Sequence, residues 1–305
     1  MRFGLWHWIT PASVAGALIM AGLAFVSASS AQGAHKGAPA KAGKVRVLII
    51  DGQNNHKWAE TTPAIKDMLE KTGAFEVTVA TTPPRKAPKK DWAKFRPDFT
   101  KCDVVLLNYF GELWPDDVNV AFERFVSGGG GLAFYHAAVA SFPEWQEFNE
   151  MMGMGWRKAD QGMRLSLDAN GREVRTPAGE GPSSGHGPGR CFEVTVRDRE
   201  HPITAGLPAK FMHVKDELYQ GMRGPLKNMH VLATGYADPQ FKGTGAHEPL
   251  VWTVTYGQGR VFVTVLGHDV PATTAPSSAV LLGRGLQWAA TGKVSLPVPD
   301  LEVRD

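Results

Sequence analysis

The stretch SGGGGLAFYHAAVASF, Ser127 to Phe142, decides how the chain is read. Four glycines close one element, an apolar run follows, and a single imidazole, His136, stands where that run meets small residues. A short, wholly apolar run bounded by turn residues reads as a strand covered on both faces. His136 then occupies the strand-to-helix turn where many α/β enzymes carry a nucleophile. Histidine shuttles protons and binds metals; an elbow nucleophile is normally serine or cysteine activated by a separate base. A conventional acyl-enzyme is therefore disfavoured. The glycine run is not a phosphate loop, because it precedes the strand and lacks the Lys-Ser/Thr of that motif.

Working outward, KVRVLIIDG (44–52), FEVTVA (75–80) and CDVVLLNYF (102–110) read as further strands, and GLAFYH (131–136) as the fourth. Helices are predicted over 59–71, closed by Gly73, and over WPDDVNVAFERFVSGG, which opens on proline and two aspartates. Ser141 and Glu144 have the spacing of a capping box. Alternating strands and helices give an α/β, doubly wound pattern with a mostly parallel sheet. The second half is more elaborate. A turn at 169–171 leads into the glycine-rich TPAGEGPSSGHGPGR, read as a functional loop or lid. CFEVTVRD is a strand, LVWTVTYGQGRVFVTVLGHD a hairpin, and SSAVLLGRGLQWAATG the last helix.

The 305 residues are 43% hydrophobic and 21% charged, an ordinary globular composition that points to one domain. The net charge of +3 and the absence of a basic stripe interleaved with aromatics argue against nucleic acid as a partner. Residues 1–31 have the pattern of a secretory signal peptide, with a cut after Ala31; if that segment were retained, it would be a membrane anchor. Residues 32–43 are then a flexible N-terminus, 44–293 the domain, and 294–305 a tail. The expected location is periplasmic or secreted. Cys102 and Cys191 fit no metal motif and read as small buried residues.

In open parallel sheets ligands bind beyond the carboxyl ends of the strands. The residues that fall there are Asn55 and His56 after the first strand, Asn108 and Tyr109 after the third, His136 after the fourth, and His268 and Asp269 after the hairpin. The second half adds His186, the adjacent Asp216 and Glu217, Tyr219, Glu248 and Trp252. His136, His268, Asp216 and Glu217 are the candidate catalytic residues. The remainder, with Trp145, are candidate substrate-binding residues, the tryptophans as stacking platforms for sugar. No cofactor is required by the sequence. A divalent metal is possible, with His186 and His268 as candidate ligands, although no pair has the spacing of a helical or HxH site.

Four strings, GGGGLAFYHAAVASFPEWQEFNEMMG, HPITAGLP, DELYQG and EPLVWTVTYGQGRVFVTVLGHD, together resemble the ThuA-like (trehalose utilisation) domain over about 45–292. The resemblance implies a flavodoxin-like three-layer sandwich similar to class I glutamine amidotransferases. Those relatives carry a cysteine at the elbow where this chain carries His136. It also implies a small-molecule carbohydrate as partner, related to trehalose or to oxidised 3-keto glycosides, handled by histidine and carboxylate acid–base chemistry. Two alternatives stay open at this point: a sugar-binding module without turnover, and a metal-dependent hydrolase.

Overall fold

The computed structural model describes residues 43–301; the expected signal peptide and nearly all of the segment that follows it lie outside them. Fourteen strands occur in the described residues. The first four are β1 Val45–Asp51, β2 Phe75–Thr81, β3 Val104–Leu107 and β4 Gly131–Tyr135. The second half contributes β5 Met163–Leu167, β6 Glu173–Thr176, β7 Gly185–His186, β8 Arg190–Val196 and β9 Lys210–Asp216. It continues with β10 Tyr219–Gln220, β11 Arg223–Gly224, β12 Met229–Tyr236, β13 His247–Tyr256 and β14 Gly259–Thr264. The helices are α1 Trp58–Lys71, α2 Lys89–Trp92, α3 Asp116–Ser127, α4 Gln146–Met152, α5 Val270–Thr274 and α6 Pro276–Thr291.

The main sheet runs β2-β1-β3-β4-β14-β13-β12-β8-β9. Every pairing from β2 to β14 is parallel, and every pairing from β14 to β9 is antiparallel. The architecture is thus an α/β sandwich whose parallel half continues into an antiparallel half. All residues of β3 and β4 are buried. Side chains alternate across a strand, so complete burial means both faces are covered. Helix α6 lies against β1, β3, β4 and β14. Phe122 of α3 and Phe148 of α4 meet Phe134 of β4, Trp114 and Phe142 in an aromatic cluster. Among the described residues no helix is long and apolar enough to cross a membrane.

Two local expectations are corrected. Ser141 does not cap a helix: its hydroxyl donates to the Tyr109 carbonyl, and α4 begins only at Gln146. Cys102 is buried but Cys191 is exposed, and both are free thiols. The 294–301 part of the tail packs on the domain, where Gln287 and Arg284 of α6 bind the backbone of Ser295 and Leu296.

Strand sense decides where the site forms. β1, β3, β4 and β14 are parallel, so His56, Asn108, His136 and His268 all follow the same edge of the sheet. From β14 to β9 the direction reverses four times. An even number of reversals restores the original sense, so β9 delivers Asp216 and Glu217 to that edge as well.

Helix and sheet approach closely at Gly285, where a Cβ would stand 2.5 Å from the ring of fully buried Phe262. Gly285→Val is expected to destabilise the protein by about 3 kcal/mol in denaturant unfolding. Gly185→Ala, where a Cβ would meet nothing within 4 Å, should change stability by less than about 0.5 kcal/mol.

Candidate functional site

His136 opens a 3₁₀ turn, His136–Ala140, with φ of 45°. A non-glycine residue in this region costs of order 1–3 kcal/mol and persists only when its surroundings fix it. Here they do. The ring is buried, and its Nδ1–H donates to the Val265 carbonyl at 2.7 Å. That bond leaves Nε2 facing inward, 3.1 Å from the Tyr219 hydroxyl and 3.6 Å from Oε2 of Glu217.

Other imidazoles are set in the same way. His56 Nδ1 lies 3.3 Å from Asn54 Oδ1, and its Nε2 is 3.6 Å from Glu217 Oε2. His186 Nδ1–H donates to the Gly187 carbonyl at 2.7 Å, and its Nε2 is 3.5 Å from Glu217 Oε1. His268 presents Nδ1 to Oε2 at 3.2 Å. The rings of His56, His136 and His268 form a tight group with centroid separations of 4.6, 4.8 and 5.7 Å. Four histidines from four chain segments therefore surround one carboxylate. Burial alone would raise the Glu217 carboxyl. The imidazoles of His136, His56 and His186 outweigh it and hold the group far below the usual carboxylate range, so Glu217 is ionised at neutral pH.

Asp216 differs sharply from its neighbour. It is buried, and its two oxygens accept from the N–H groups of Gly267, His268 and Glu217 and from His213 Nε2. His213 Nδ1 in turn meets Ser277 Oγ at 2.7 Å. Burial pushes the Asp216 carboxyl up, but His213, His136 and the Gly267 N–H bring it below its ordinary value. Asp216 thus acts as a positioning residue, tying the end of β9 to the loop that carries His268. On the other side of that loop, the Tyr135 hydroxyl donates to the Gly267 carbonyl at 2.5 Å.

Several residues expected at the site have other duties. Asn108 is buried and donates to Thr61 and Thr62. Its Oδ1 accepts from Asn54, so it supports His56 indirectly. Tyr109 is buried with its hydroxyl on the Glu112 carbonyl. Trp252 is wholly enclosed and its N–H donates to the Met152 carbonyl, leaving no face for a sugar. Glu248 is a buried partner of Arg164, Thr244 and the Gly221 N–H. Asp269 caps α5 through the Ala272 N–H. Trp145 is half-buried against Phe142 and Phe148, and lines a separate open cavity of about 490 Å³ with Phe110, Leu113 and Pro143. Asn55, next to His56 in the chain, is exposed. Tyr219 does reach the cluster, and burial pushes its phenol up.

Trp156 and Arg223 were not legible as site residues. The Trp156 ring meets Tyr219 edge-on at 4.7 Å. Arg223 is fully buried and donates to the carbonyls of Pro177, Glu180 and Pro182, so the glycine-rich segment is a fixed strap rather than a free lid. An arginine between apolar and glycine residues, as in GMRG, is the signal that could have found it. The strap delivers His186, paired through β7 with Tyr219 of β10.

Two consequences are measurable. Asp216→Asn cannot accept from all four donors and should cost about 3 kcal/mol in denaturant unfolding. Arg223→Met should make the 177–183 segment the first site of cleavage in limited proteolysis, while the unmodified chain is cut there no faster than elsewhere.

Which residues could hold a metal also follows from the geometry. One ligand atom from each of His56, His136, His268 and Glu217 lies within 4.8 Å of all the others. His186, exposed and facing the other carboxylate oxygen, is not one of the four.

Comparison with known proteins agrees with this arrangement of strands. No curated protein matches the chain. A ThuA-like protein of Bacteroides uniformis is 20% identical, with a TM-score of 0.56 over 84% of this chain and 95% of its own; that likeness concerns the fold. A ThuA-like protein of Parabacteroides merdae is 39% identical, with a TM-score of 0.79 over 84% of this chain and 94% of its own. The family model described as trehalose utilisation matches residues 46–289, and with these relatives it shows that the chain belongs to the ThuA family.

Proposed function

We propose that this ThuA-family chain is an exported enzyme acting on a small carbohydrate, trehalose-related or an oxidised 3-keto glycoside, at the histidine cluster around Glu217. The observation that carries this reading is the convergence of His56, His136, His186 and His268 on one ionised carboxylate. Membership in the trehalose utilisation family supports a carbohydrate-related role. Export rests on the N-terminal sequence pattern alone.

The site suits proton movement rather than thiol chemistry. Cys102 is buried and its thiol is pushed up to about 12, mainly by desolvation, and Cys191 lies exposed in β8. The elbow position itself is an imidazole. Glu217 is ionised and far below the usual carboxylate range, so it is a weak base; its charge stabilises an imidazolium, which makes an adjacent imidazole the natural proton acceptor. A carbonyl in an oxidised sugar acidifies the neighbouring C–H bond, which brings proton abstraction within reach of such a base.

The test is incubation of the purified chain with trehalose and with 3-keto disaccharides, with and without a chelator, and product analysis by mass spectrometry. New products are expected, with Glu217→Gln lowering turnover at least about 100-fold. Saturable sugar binding without any product would make the chain a binding module instead. Neither binding nor turnover would end the carbohydrate reading.

A further inference from the structure

We infer that His56, His136, His268 and Glu217 together bind one divalent transition-metal ion, with zinc the ion their donors suit best. Imidazole nitrogen and carboxylate oxygen form a donor set typical of zinc, and zinc bonds to them are about 2.0–2.2 Å long. In a tetrahedron of such bonds the ligand atoms stand about 3.4 Å apart. The three imidazole nitrogens lie 3.6, 3.6 and 3.2 Å from Glu217 Oε2, which matches that edge length.

The contacts are poor as hydrogen bonds. Distances of 3.6 Å exceed the normal range, and the buried His268 Nδ1 at 3.2 Å makes no aligned hydrogen bond at all. Three imidazole nitrogens and one carboxylate oxygen within 4.8 Å of one another, poorly used as hydrogen-bond partners, form a donor set that a cation among them can draw to bonding distance.

The outer partners fit as well. Metal-binding histidines usually donate their second ring N–H to a carbonyl or carboxylate. His136 does so to Val265, and His56 Nδ1 faces Asn54 Oδ1, leaving each Nε2 lone pair directed at the cluster. Asp216 fixes the backbone N–H groups of Glu217 and His268, and so sets the spacing of two ligands from behind. One competitor exists: the Tyr219 hydroxyl, 3.1 Å from His136 Nε2, uses the same lone pair and must turn away when metal binds. A bound ion would act as a Lewis acid toward a sugar hydroxyl or carbonyl, and His186, outside the ligand set, would remain to move a proton.

The inference builds on the reading of this cluster as the functional site, but zinc titration involves no sugar. Its failure leaves the carbohydrate reading standing, and a failed sugar screen on zinc-loaded protein strikes that reading alone. The experiment is calorimetric titration of zinc chloride into the full chain after dialysis against a chelator. One zinc per chain is expected, with His268→Ala and Glu217→Gln each weakening binding at least about 100-fold and Tyr219→Phe binding as tightly or tighter. Cobalt(II) in the unmodified chain should give the strong visible bands of a four- or five-coordinate site, a readout that needs no variant to fold. Weak, hydrated-cobalt absorption, non-saturable zinc uptake, or unchanged affinity in both ligand variants would overturn the assignment.

Discussion

Asp216 is the constraint on which the site depends. A buried carboxylate is costly unless its charge is met, and here three backbone N–H groups and one imidazole meet it. Those donors belong to distant parts of the chain. Two lie beyond β14, one at the end of β9, and His213 reaches on to Ser277 at the start of α6. The outer antiparallel strand is thereby fastened to the parallel half. This junction holds Glu217 and His268 side by side, and one residue along the chain separates the buried tie from the carboxylate that faces the imidazoles.

The parallel half of the fold was legible because its physics is local. Strands such as VVLL and GLAFY carry no charged residue, and both are completely buried. The rule that ligands gather beyond strand ends then identified His56, His136 and His268 correctly as neighbours. What could not be read was the return of β9 to the same edge, since pairing order in the antiparallel half depends on contacts far apart in sequence. The separate roles of Asp216 and Glu217 were hidden for the same reason. Trp252 and Glu248 misled because residue type is a poor guide to exposure: an indole and a carboxylate can both be satisfied inside, one by the Met152 carbonyl, the other by Arg164, Thr244 and the Gly221 N–H.

The elbow geometry survives with different chemistry. The left-handed backbone at His136 aims the side chain over the sheet edge, as a nucleophile elbow would. A thiol or hydroxyl there attacks substrate directly. An imidazole anchored through Nδ1 to Val265 offers one inward lone pair, for a proton or for an ion. The strain is sustained by a rigid neighbourhood in which Tyr135 and Val265 fix the flanking segments from two sides.

Arg223 grips the glycine-rich segment through main-chain oxygens of Pro177, Glu180 and Pro182. A clamp that recognises only peptide carbonyls is indifferent to most of the side chains it holds. The segment can therefore change its chemical character, residue by residue, while its path through space and the delivery of His186 are preserved. The side chains presented beside His186 can drift without disturbing the cluster of imidazoles around Glu217.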